Sequence, residues 1–229
     1  LFQAINKSDT LKKWLLKFIE LNIEDGKSWN IKNELLKFSN EILKESYKTF
    51  DLAAIVKMSD KHFLDSYMSQ LQIIIRDFQQ KMVDIGNGAI ELANSYSLDT
   101  NDFSYGKNGV FGHFINLSTK KKFSYGTRVQ EAIDDVSKWY KKSSKRISDI
   151  ESAFQNGLNQ LLISAKETYD KQFYIANSAR VILDRIYILG ILTDISKNVK
   201  EVCEDENLFM INDSAHLLQS VINQNDSPF

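Results

Sequence analysis

A chain of 229 residues with 43% apolar and 26% charged side chains has the make-up of a globular protein and is long enough to bury a sizeable core. Its 29 Lys and Arg stand against 30 Asp and Glu, so the net charge of −1 excludes a global preference for nucleic acid or membrane and leaves only a local one. Cys203 is the only cysteine, which excludes an internal disulfide framework and a cysteine-based zinc site. Its neighbours Glu201, Glu204, Asp205 and Glu206 disfavour a nucleophilic thiolate.

Pro228 is the only proline, so no helix before it meets that interruption. Six of the nine glycines fall between Gly86 and Gly126. Together these predict an all-α fold: an elongated multi-helix bundle, one domain over 1–229, with one glycine-rich irregular excursion near residues 98–126. No stretch reaches the roughly 20 apolar residues that span a bilayer. The best run, Val181 to Leu192, carries Asp184 and Arg185 and reads as a buried helix. With no initiating Met and no signal-peptide pattern, the chain reads as a trimmed mature region, with Leu1-Phe2-Gln3 as a tag remnant.

In chain order, Ser8 or Asp9 opens a helix over 8–25 whose buried face is Leu11, Trp14, Leu15, Phe18 and Ile19. Asp25-Gly26 stops it, because glycine accepts the left-handed conformation at a helix end. Ser28 caps a second helix over 28–49, with Trp29, Leu35, Phe38, Ile42 and Tyr47 turned inward. The short apolar piece Leu52 to Met58 leads into Ser59-Asp60, a cap for a helix over 59–97. Phe63, Tyr67, Leu71, Ile74, Phe78, Met82, Ile85, Ala89, Leu92 and Tyr96 keep its steps of three or four, and Gly86 and Gly88 are its weak points.

Between Leu98 and Gly126 the periodicity vanishes. The tetrapeptide Phe-Ser-Tyr-Gly occurs there twice, at Phe103–Gly106 and Phe123–Gly126, as though two matching turns bracket the excursion. Thr127 and Gln130 have the spacing of a capping box, opening a helical region over 127–203. Its stripe runs from Val129 through Tyr140, Ile150, Phe154, Leu161 and Tyr169 to Ile175, Ala179, Ile182 and Ile186, with breaks expected near 157 and 190. A last helix is expected over 207–222.

Little in the chain has the spacing of a chemical site. His62, His113 and His216 are far apart, and His62 with Asp65 makes only half a metal site. Gly106-Lys-Asn-Gly109-Val-Phe-Gly112 lacks the ending of a phosphate loop and the spacing of a dinucleotide fold. Asp99, Asn101 and Asp102 lack the spaced ligands and closing Glu of a calcium loop. The sequons at Asn6, Asn116, Asn212 and Asn225 are what an Asn- and Ser-rich chain produces. No enzyme, no cofactor and no metal is expected.

Charge supplies the one local signal. Between Lys107 and Arg146 ten cations face only Glu131, Asp134 and Asp135. The residues we take as a polyanion-binding set are Lys120, Lys121, Lys122, Arg128, Lys138, Lys141, Lys142, Lys145 and Arg146. Lys138, Lys141, Lys142 and Lys145 would share one side of a helix. Phe111, Phe114, Phe123, Tyr125, Trp139 and Tyr140 lie among them, and such rings stack on bases while cations meet phosphates. The plain alternative is a solvated helix face with its rings in the core.

A chain rich in Lys, Asn, Ile, Ser and Phe and nearly free of proline resembles the helical surface lipoproteins of spirochaetes. The resemblance is one of composition over the whole length, with no motif, and it transfers no functional residue. It implies an α-helical ectodomain held at the cell surface by an anchor outside this sequence and binding a host protein, a matrix component or DNA. The expected function is therefore a non-catalytic helical binding protein with a protein partner. The alternatives are a nucleic-acid or polyanion binder acting through residues 120–146, and a membrane-associated scaffold dimer of the BAR type built on 127–203.

Overall fold

A computed structural model describes residues 9–24, 26, 28–42, 44, 52–208 and 214. The described residues are all-α, with no strand among them. In chain order they form α1 (Asp9–Glu24), α2 (Lys32–Ile42), α3 (Leu52–Ser59), α4 (Lys61–Ser95), α5 (Val110–Ser118), α6 (Thr127–Glu131), α7 (Ile147–Ala153) and α8 (Asn159–Asp205). Single 3-10 turns occupy Gly106–Asn108 and Val136–Lys138, and a π turn, Phe154–Leu158, joins α7 to α8. The chain divides into two compact units, one of Leu1–Ser69 with Ile182–Phe229 and one of Gln70–Val181, with no linker sequence marking the division.

In the first unit, Leu11, Leu15 and Phe18 of α1 pack with Leu35 of α2 and with Ile191 and Ile195 of α8. Beside them Trp14, Leu64 and Ile186 form a second cluster. Gly190 lies where a Cβ would come 2.5 Å from the Trp14 ring, so glycine here admits an indole where a break was expected, and α8 runs through it. Lys61 closes this packing: its Nζ is 2.8 Å from Asp194 Oδ2, donates to the Gly190 carbonyl at 2.6 Å and sits 5.1 Å over the Trp14 ring. Trp29 and Phe63, expected inside, are exposed, and the side chains of Phe38 and Ile42 lie outside the description, as does Tyr47.

Helix ends follow local hydrogen bonding. Gly26 has φ 71° and donates to the Ile23 carbonyl at 2.9 Å, the left-handed stop expected of it. Asn30 Oδ1 accepts from the Lys32 N–H at 3.2 Å, so α2 begins later than the expected residue 28. Asp60, and not Ser59, caps α4, accepting from the N–H groups of His62 and Phe63 at 2.9 and 3.2 Å. The helix expected over 207–222 falls almost wholly outside the described residues.

The second unit has one core, which Met82, Ala89 and Ala93 of α4 share with Phe114, Leu117, Trp139, Ile150, Leu158 and Leu162. Here the sequence reading needs three corrections. The region 98–126 is partly helical, because Phe111, Phe114 and Leu117 put one face of α5 into the core. The region 127–203 is broken earlier than the expected breaks near 157 and 190, since its first helix ends at Glu131. Residues 132–146 turn back on themselves to bury Trp139, whose Nε1 donates to the Ala132 carbonyl at 2.9 Å while its own carbonyl accepts from Ser104. Asp134 holds that turn at φ 62°, with its N–H and carboxylate both bonded to the Asn159 amide. Finally, no capping box forms at Thr127: Gly126 is the N-cap, and no side chain caps α6.

The break expected near 157 is present, since Gly157 at φ 137° interrupts the helix within the π turn. Ile74, Ile175 and Ile182, read as buried, are exposed, whereas Ala179 and Ile186 are buried as expected and Ala176 joins them. The two Phe-Ser-Tyr-Gly turns do not match. Phe103 is buried and stacked 4.4 Å from Phe111, with Gly106 at φ 51° opening a 3-10 turn. Phe123 is half-buried, edge-on to Phe78 at 5.4 Å, and Gly126 is extended.

Candidate anion-binding hollows in the second unit

The basic residues gather here through the packing of α5. Gly86 of α4 lies where a Cβ would come 2.6 Å from the Ser118 nitrogen and 2.7 Å from the Phe114 oxygen, so α5 rests directly on the α4 backbone. Gly109 and Gly112 admit the preceding turn in the same way, since a Cβ on either would collide with the carbonyl of Ser104 or of Lys107. These glycines serve close packing. Beyond α5, Lys120 at φ 57° turns the chain, and the N–H groups of Lys121 and Lys122 donate to the Asn116 carbonyl at 3.0 and 3.4 Å. The Lys120–Lys122 run is thereby tied to the helix it leaves.

Between the turn at Lys107–Gly109 and the strand-like residues Ser124–Gly126 is a hollow of about 450 Å³. Lys107, Lys122 and Arg128 line it together with His113, Asn116 and Tyr125, and no carboxylate does. Arg128 stands 4.4 Å over the Tyr105 ring, which holds the guanidinium without neutralising it. Among the described residues, neither Lys107, Lys122 nor Arg128 makes an ion pair. By contrast, Lys166 is paired with Asp170 at 2.7 Å and Lys171 with Glu167 at 2.8 Å.

His113 is 6% exposed, and its burial, helped by the charge of Lys122, lowers its pKa to about 4. It is therefore a neutral imidazole at pH 7, and the hollow's charge comes from the three longer side chains. Tyr125, which lines the hollow, donates to Asp170 Oδ1 at 2.6 Å, and that bond is the main cause that raises the phenol; the carboxyl is lowered first by its bond from Lys166 and then by the one from Tyr125.

Two smaller hollows adjoin this one through shared cations. One of about 270 Å³ takes Arg128 with Lys138, Lys142 and Tyr140, but Glu131 also lines it. The other, about 240 Å³, takes Lys122 with Lys120, Lys121 and Arg180. Six of the nine predicted residues, Lys120, Lys121, Lys122, Arg128, Lys138 and Lys142, thus line these hollows.

Lys141, Lys145 and Arg146 do not. Arg146 is structural: it bonds Asp149 and the Tyr96 carbonyl, each at 2.6 Å, and the Asp149 bond raises its pKa. The expected helical stripe of Lys138, Lys141, Lys142 and Lys145 is absent, because residues 139–146 are turns that follow the burial of Trp139. Sequence reading left Lys107, His113 and Arg180 out of the set. Helical spacing could have found Arg180, which follows Phe173 by seven residues and Ala176 by four on α8.

The interleaved rings divide by burial. Phe111, Phe114 and Trp139 are core and cannot stack on a ligand. Phe123, Tyr125 and Tyr140 are half-buried, and each lines one of the three hollows. Among the described residues no three His, Cys, Asp or Glu gather as a metal-holding group, and no helix is long and apolar enough to cross a membrane. No known protein family, curated protein or solved structure matches the chain.

Proposed function

We propose that this protein is a non-catalytic helical binding protein whose second unit captures an anionic polymer through the hollow lined by Lys107, Lys122 and Arg128. The observation that carries this reading is the combination of three unpaired cations with the absence of any carboxylate among the lining residues. Lys107, Lys122 and Arg128 are exposed, and a concave space lined by one sign of charge attracts anions more strongly than the same charges on a flat face. Lys122 and Arg128 each extend the charge into a neighbouring hollow, which suits a ligand with repeated anionic groups. A sulfated glycan, a single-stranded nucleic acid and an acidic protein segment all present that chemistry.

The test is equilibrium binding of heparin, single-stranded DNA and poly-glutamate to wild type, Lys122→Glu and Lys145→Glu. Lys145 is exposed and outside the hollows, so it controls for the charge change alone. The expected result is a loss of at least tenfold for Lys122→Glu, about 1.4 kcal/mol, and less than threefold for Lys145→Glu. Equal losses would assign the binding to general charge and remove the hollow as its cause.

A further inference from the structure

The smallest of the three hollows differs in kind from its neighbours. Its charged side is Lys120, Lys121, Lys122 and Arg180, with no acid among the lining residues. Its other side is aromatic, formed by Phe78, Phe123 and Phe173. Phe78 is buried and meets Phe123 edge-on at 5.4 Å and Phe173 at 6.3 Å, so it fixes from behind the two half-buried rings that face the hollow. The amides of Gln79 and Asn177 complete the lining and add hydrogen-bonding capacity between the two sides.

The charged side is held as well. Lys121 and Lys122 are tied through their N–H groups to Asn116, and Arg180 stands on α8 one helix face along from Phe173 and Ala176. None of these four cations makes an ion pair among the described residues. An inorganic anion would use only half of such a site, and an uncharged ring only the other half.

Size narrows the ligand further. A cavity of about 150 Å³ accepts one benzene ring. At about 240 Å³ this hollow has room for that ring and one anionic substituent.

We infer that this hollow is a binding site for a small aromatic anion, a single ring bearing a phosphate, sulfate or carboxylate. The ring lies against Phe123 and Phe173, and the anionic group is held by Arg180 and the Lys120–Lys122 run. Edge-to-face contact with the phenyl groups orients the ring, and the guanidinium offers two parallel donors to the anion. This goes beyond capture of a polymer. The site shares Lys122 with the first hollow but is separable from it through Arg180, which lines this hollow and not the first.

The experiment compares phenyl phosphate, inorganic phosphate and benzyl alcohol as ligands of wild type, Arg180→Gln and Lys145→Gln, by titration calorimetry. Backbone amide shifts of wild type with phenyl phosphate provide a map that depends on no variant. Phenyl phosphate is expected to bind at least tenfold tighter than either other probe, with shifts centred on residues 120–123 and 173–180. Arg180→Gln, an exposed position, is expected to lose at least tenfold while Lys145→Gln stays within twofold. A free aromatic anion and a phosphotyrosine side chain share this chemistry, and a phosphotyrosine peptide titrated alongside phenyl phosphate separates them: tighter binding of the peptide identifies a protein-borne ligand, and equal or weaker binding a free one. Equal affinity for phenyl phosphate and inorganic phosphate would overturn the inference, as would shifts centred elsewhere or equal losses in the two variants.

Discussion

Gly86 and Gly88 stand two residues apart in α4 and have opposite reasons for being glycine. A Cβ at Gly86 would meet backbone of α5, which cannot move aside, whereas at Gly88 the nearest atom is Leu161 Cδ2 at 3.8 Å. Gly86→Ala is therefore expected to destabilise the protein by about 1–3 kcal/mol through overpacking. Gly88→Ala should stabilise it by up to about 1 kcal/mol, the helix-propensity difference between the two residues. Denaturant midpoints of the two variants against wild type read both signs at once.

His113 gives a second prediction at this scale. The unfolded chain takes up the imidazole proton near pH 6.5, but burial keeps the native imidazole neutral down to about 4. The unfolded state thus binds more protons between those values, so stability falls as pH drops from 6.5 to 4 and is unaffected by this group above 6.5. The loss is of order 3 kcal/mol at most. In His113→Phe that part of the pH dependence should flatten. An equally steep fall in the variant would assign it to other groups.

At the scale of elements, burial of one indole decides the path of residues 132–146. Trp139 meets Phe103 and Phe114 at 6.3 Å and Phe154 at 5.5 Å, and its Nε1 is bonded to the Ala132 carbonyl. Trp139→Ala should cost about 3–5 kcal/mol in chemical denaturation, against within about 0.5 kcal/mol for Tyr174→Ala, whose ring is 75% exposed.

The same residue explains how much of the fold was legible in the sequence. α1 and α4 were readable because their apolar positions recur at helical spacing, and Gly26 because it is needed at positive φ. The turn at 132–146 was not, since Val129, Ile133, Val136 and Tyr140 also keep helical spacing and nothing local reveals that Trp139 turns inward. That indole is satisfied by tertiary partners, Ser104 and Ala132 among them, which periodicity cannot see. Gly190 was misread for a related reason: a glycine that admits an indole looks, in sequence, like one that ends a helix. For the candidate site, charge density located Lys120–Lys122 and Arg128, while the lysine stripe failed with the helix that was to carry it. Helical spacing on α8 could have found Arg180, but its meeting with Lys120–Lys122, more than 50 residues earlier, is a tertiary contact that spacing cannot see.

At the scale of the whole molecule, a net charge of −1 supplies no long-range attraction to an anion. Any affinity for a polyanion must come from where the cations are placed, and residues 107–146 collect ten of them within one compact unit. Such an affinity is short-ranged, because the attraction fades over a Debye length of about 10 Å at 0.1 M salt. Lys107, Lys122 and Arg128 meet in one hollow without an acid, as Lys120–Lys122 and Arg180 do in another.

The salt dependence of single-stranded DNA binding by wild type and by the triple variant Lys107→Gln/Lys122→Gln/Arg128→Gln tests that placement most directly. If these three side chains neutralise three phosphates, the slope of log K against log salt should shrink by about 2 in the variant. An unchanged slope, or wild-type binding that does not weaken with salt, would contradict the assignment.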